Sequence, residues 1–218
     1  MLRKDVVRQN RSPQRLIHAE YDFKTWREDV PSVERVRPPC CPSCGGASRE
    51  PGRSLGLHGH GLRQRQLRGP VERWGRPRIL VIAVRRYRCQ RCAAVITVAP
   101  RGVEPGRLFS LPAIALALWL YGARRASPAV VRRAVSPWQV GATAASGWAQ
   151  LRRWVRDVGA GRLLGGLPAA AGAGPRAIAT RVTMALRGRA SSGEGQPREE
   201  GHQVWLAALH LGVSIIAR

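Results

Sequence analysis

Residues 41–46 read Cys-Pro-Ser-Cys-Gly-Gly and residues 89–92 read Cys-Gln-Arg-Cys, two Cys-x-x-Cys pairs in a chain that has five cysteines. Two residues between thiols let a tight turn aim both at one ion, and two such turns complete the tetrahedral shell of a closed structural Zn2+ site. Cys41, Cys44, Cys89 and Cys92 are therefore the expected metal ligands, and Zn2+ the expected cofactor. Surface thiols and a redox dithiol are the competing readings, and a redox dithiol needs only one pair. Gly45 and Gly46 let the chain turn back under the sulfurs, where backbone amides can donate to thiolates. Cys40 lacks the two-residue spacing to Cys44. His58 and His60, in the Gly-Leu-His-Gly-His-Gly run at 56–61, are metal-capable, but four cysteines already fill the shell.

Outward from the cysteines, RILVIAVRRYRC at 78–89 is strongly β-prone and leads into the second pair, and AAVITV at 93–98 leads away from it. The second pair should turn one antiparallel strand back onto the other. In GLRQRQLRG at 61–69, period-two spacing places Arg63 and Arg65 on one strand face, either as phosphate contacts or as a solvated surface.

Beyond PRGVEPGRLF at 100–109 the texture changes to alanine and leucine at helical spacing. Ser110 is placed to cap a helix reaching about Arg124, with Leu111, Ile114, Leu118 and Tyr121 on one face. Ser127 and Pro128 open a short helix through about Ala134. A third segment places Trp148, Leu151, Val155 and Val158 on one stripe, with Arg152, Arg153 and Arg156 pointing elsewhere. Three such helices suit a helix-turn-helix or a plain helical cap. The expected fold is thus α+β, a four-cysteine ribbon of antiparallel strands followed by a three-helix, helix-turn-helix-like unit. The expected divisions are an N-terminal arm at 1–37, the ribbon at 38–104, the helical unit at 105–160, and a linker with a poorly defined helical tail at 161–218. Within that tail, helices are expected at Ala177 to Arg187 and Val204 to Ile216.

The 218 residues carry 37 Lys plus Arg against 13 Asp plus Glu, a formal net charge of +24. Such an excess fits a polyanion, because each neutralised phosphate releases a counterion. An arginine-rich coding bias is the bland alternative. The longest apolar run, LPAIALALWLY at 111–121, is too short to span a membrane, which needs roughly 20 residues; it reads as a buried helix. The opening residues lack a continuous apolar export core, so the expected location is cytoplasmic, with no membrane partner.

The CPSCGG and RRYRCQRC strings, with a helical region ending in LRRWVRDV, resemble a bacterial zinc-ribbon family associated with insertion sequences, whose members are transposase-related or of unknown function. The resemblance spans about Pro38 to Leu164. It implies DNA binding by a ribbon and a helix-turn-helix, ligation by Cys41, Cys44, Cys89 and Cys92, and a reading helix within Thr143 to Arg156. Double-stranded DNA is the expected partner, with RNA or the ribosome as the alternative; a transposase or self-association are further partners. Arg63, Arg65, Arg152, Arg153 and Arg156 are the nucleic-acid candidates. A full-length transposase of the retroviral-integrase type adds three carboxylates that hold two Mg2+ ions at the scissile phosphate. After Ser110 the chain offers only Asp157, Glu194, Glu199 and Glu200, the last three in the Gly- and Pro-containing SSGEGQPREEGH run, so the expected role is that of a helper, a regulator or a catalytically incomplete transposase, not an enzyme.

Overall fold

The computed structural model describes residues 15–72, 75–138, 147–164, 173–190 and 200–210. The chain is α+β. Strand β1 (Arg15–His18) and helix α1 (Phe23–Glu28) precede the first cysteine pair. Strands β2 (Leu57–Gly69), β3 (Arg78–Cys89) and β4 (Val95–Ala99) follow, and complete a sheet of order β1-β4-β3-β2. The antiparallel β2, β3 and β4 match the sequence reading; β1 corrects it, because it lies parallel to β4 and makes the sheet mixed. Its four residues divide their apolar side chains between the two faces of the sheet. Leu16 packs with Leu67, Ile82 and Val84 on one face, and Ile17 with Tyr87, Ile96 and Val98 on the other.

A β-bulge sets which side chains share a face. The pairing runs Gly59↔Tyr87 and then Leu62↔Arg85, so β2 holds one extra residue, with Gly61 at φ +76°. A left-handed glycine is the usual occupant of such a bulge. Leu57 and Leu67, which strict alternation would place together, therefore lie on opposite faces: Leu57 in the cluster with Cys41 and Cys89, Leu67 in the cluster with Ile82 and Val84.

Helices α2 (Leu111–Gly122), α3 (Pro128–Val135), α4 (Ala149–Gly159), α5 (Pro175–Ala190) and α6 (Glu200–His210) build the rest. The two serine caps form as read: Ser110 Oγ accepts from Ala113 N–H at 3.2 Å and Ser127 Oγ from Val130 N–H at 3.4 Å. Helix α2 is buried from Leu111 to Trp119 on every side, not along one stripe. An all-round apolar helix belongs in a core, and α5 and α6 supply the cover that three helices lack. At Gly122 a Cβ would stand 2.6 Å from Thr180 N on α5, so glycine permits that close crossing. Helix α5 extends beyond both expected ends, and α6 begins at Glu200. The expected continuation of α6 past His210, the linker at 165–172 and the start of the expected reading helix at 143–146 lie outside the described residues.

The helical cluster meets the end of the sheet through backbone bonds, Ser110 N–H to Arg68 C=O at 3.1 Å and Leu111 N–H to Gly102 C=O at 2.8 Å. Side chains reinforce the joint. Arg107 pairs with Asp157 on α4 at 2.6 Å, and Arg162 holds the other Asp157 oxygen at 2.8 Å. The bond from Arg162 keeps the Asp157 carboxyl below the usual carboxylate range, and that from Arg107 adds to it against the effect of burial. No helix among the described residues is long and apolar enough to cross a membrane.

Candidate metal centre and basic surface

The two cysteine turns are near copies of each other. In the first, Gly45 N–H donates to Cys41 C=O at 2.8 Å and Cys41 N–H to Gly46 C=O at 2.8 Å. In the second, Ala93 N–H donates to Cys89 C=O at 3.0 Å and Cys89 N–H to Ala94 C=O at 3.0 Å. Both turns place the residue after the second cysteine in the left-handed region, Gly45 at φ +69° and Ala93 at φ 58°. Glycine adopts that conformation freely, whereas an L side chain opposes it by roughly 1–2 kcal/mol. Ala93→Gly is therefore expected to stabilise the second turn by about 0.5–1 kcal/mol, the gain being offset in part by glycine's looser unfolded chain. Gly45→Ala should cost about 1 kcal/mol, all of it backbone, because a Cβ there meets nothing within 4 Å. Thermal melting of the two variants checks both signs.

The four sulfurs of Cys41, Cys44, Cys89 and Cys92 lie within 4.8 Å of one another, and this cluster can hold a metal ion such as zinc. The Cys41 to Cys92 and Cys44 to Cys89 separations are both 3.7 Å. A tetrahedron with Zn–S bonds of about 2.3 Å has edges of about 3.8 Å, so the thiols stand at the spacing a shared ion requires. All are free thiols. Cys41 and Cys89 are buried beside Trp26, Leu57, Tyr87 and Ile96, while Cys92 is at the surface.

Electrostatics make the same point. Burial opposes ionisation of Cys41, but the backbone N–H groups of Ser43 and Cys44 and the neighbouring thiols outweigh it and bring its pKa down to about 7. The N–H of Ala94 favours a Cys92 thiolate, yet burial and the other three sulfurs push that thiol up to about 12. Four thiols this close shed their protons together only when a cation shares the charge.

Comparison of the chain with family models, curated proteins and solved structures gives no match. Cys40 is exposed and joins the fold through a backbone bridge to Ala47, outside the cluster. His58 and His60 are exposed on β2 and also stand outside it. Gly56 is a supporting residue that the motif did not reveal. A Cβ there would lie 2.2 Å from Ala47 C=O, and its own N–H and C=O tie Ser48 of the first turn to Gln90 of the second. Its only signal in the sequence is a glycine just before a strand.

The candidate arginines separate by role. Arg63 and Arg65 do share a face of β2, opposite Val84 and Ile82. Arg65, however, is half-buried, and its guanidinium donates to Glu104 C=O and, at 2.9 Å, to Arg107 C=O. It braces the 104–107 loop against the sheet. Arg152, Arg153 and Arg156 are all exposed on α4, whose other side is buried through Leu151, Trp154, Val155 and Val158. Arg152 and Arg156 flank an apolar cleft of about 420 Å³ beside Tyr121, Trp148 and Ile178.

Proposed function

We propose that this chain is a DNA-binding protein whose four-cysteine centre holds one structural Zn2+, acting as a non-catalytic, transposase-related helper or regulator. The observation that carries the reading is the outward face of α4. Three exposed arginines lie within five residues of one another on a helix fixed by its buried side. The acid on that helix, Asp157, is already neutralised by Arg107 and Arg162. With a formal charge of +24 on the chain, such a face suits a phosphate backbone. The metal's part is structural: a closed shell of thiolates joins the two turns and leaves no position for a substrate.

Replacing Arg152, Arg153 and Arg156 together by alanine should leave zinc content unchanged and weaken duplex binding. The slope of log affinity against log salt should become shallower by roughly 0.9 for each phosphate that the variant no longer neutralises. An unchanged slope would remove α4 from the binding surface. Structured RNA competing for the chain more strongly than duplex DNA would assign the charge to RNA instead.

A further inference from the structure

Strand β3 outruns its neighbour. Its pairing with β4 ends at Arg85, and residues 78–84 continue with 63–69 of β2 as a ribbon about 23 Å long at roughly 3.3 Å per residue, two-stranded except at Arg68, where residues 108–110 join the outer edge of β2. One ribbon face is buried through Leu67, Ile82 and Val84. On the other, Gln64 sits beside Ala83, Gln66 beside Val81 and Arg68 beside Ile79, with Leu62 at the base. Leu62, Ile79 and Val81 are 48%, 39% and 52% exposed, and both glutamines are exposed. The N-terminal segment covers the same face only nearer the cysteines. Tyr87 Oη–H donates to Val33 C=O, Arg85 Nε–H to Pro31 C=O, and the Trp26 indole to Ala83 C=O. That cover stops at Ala83.

We infer that this open ribbon face enters the major groove of duplex DNA and reads base edges, an inference that rests on the DNA-binding reading above. The major groove is about 12 Å wide and admits a two-stranded β-ribbon. The side chains offered match what its base edges present: glutamine pairs with adenine N6 and N7, arginine with guanine O6 and N7, and apolar groups meet the thymine methyl. Arg68 Nη2–H reaches Gln66 Oε1 at 3.4 Å and its guanidinium lies over the Trp138 ring at 5.8 Å, which restrains both polar side chains before DNA arrives. Charge selects DNA over a second copy of the chain, since Arg68 stands on this face and a copy would bring together two chains of formal charge +24 each. The α4 arginines then grip phosphates while the ribbon supplies sequence preference.

The test is selection of duplexes from a random pool by the zinc-loaded wild-type chain and by Gln64→Ala/Gln66→Ala, with affinity for mixed-sequence duplex measured in parallel. The wild type should enrich a motif. The double variant should melt at the same temperature and keep its mixed-sequence affinity and salt slope, while losing roughly 5- to 150-fold of preference at one or two base pairs. A variant that enriches the same motif overturns the ribbon assignment and leaves DNA binding standing. Wild-type binding with no motif does likewise, and absence of duplex binding overturns both. Val81→Asp that alters the sedimentation of the chain with the motif intact would identify a protein interface and also overturn the assignment.

Discussion

Cys89→Ser is expected to release the metal and unfold the ribbon while most of the helical signal survives. Cys89 is 2% exposed at the end of β3, its sulfur 3.7 Å from that of Cys44 and its N–H bonded to Ala94 C=O in the second turn. A serine hydroxyl is a poor zinc ligand, and an open shell surrenders most of a binding energy of roughly 10–16 kcal/mol seen for small structural zinc sites. That exceeds what the modest cluster around Trp26, Tyr87 and Ile96 supplies, since whole domains are stable by only about 5–15 kcal/mol. Cys40→Ser, altering an exposed thiol outside the cluster, should change neither metal content nor folding. Metal analysis with circular dichroism of the two variants makes the comparison; a zinc-bound, folded Cys89→Ser chain would remove Cys89 from the ligand set.

Trp154→Ala should destabilise the helical cluster by about 3–5 kcal/mol, the range for deleting a buried aromatic. Trp154 is fully buried, with Phe109 and Trp148 packed edge-on at centroid distances of 4.9 and 5.1 Å. Such pairs add about 0.5–1.5 kcal/mol each beyond the area they bury. The loss falls on the helix that carries Arg152, Arg153 and Arg156, so duplex binding should fall with it while zinc stays bound. Trp154→Phe should lose far less, because the indole Nε1 has no hydrogen-bond partner to forfeit. Denaturant melts of both variants, with zinc measured alongside, test this; equal losses for Ala and Phe would show that the ring packing is not what matters.

Local chemistry decides what can be read along the chain. The cysteine spacing, the glycine behind the first pair and the serine caps at Ser110 and Ser127 each depend on residues within a few positions, and the structure brings them together as expected. Long-range packing is not readable in the same way. Strand β1 is four residues long and is held by pairing with β4, some 80 residues away. The bulge between Gly59 and Leu62 breaks the alternation on which face assignments along β2 rely. Arg65 looks like a surface cation until the 104–107 loop folds over it. The apolar stripe legible in α4 omits Trp154, which widens it toward Phe109, a partner on another segment. Ala93 carries no glycine signal, yet it takes the same left-handed turn as Gly45.

Zinc content and thiol reactivity, measured on one sample of the native chain, test the four-cysteine centre most directly. The expected result is one Zn2+ per chain, with Cys40 alone open to a bulky alkylating reagent and the remaining four of the five thiols opening only after chelation. A chain that folds without metal and reacts at all five thiols with no chelator present would contradict it.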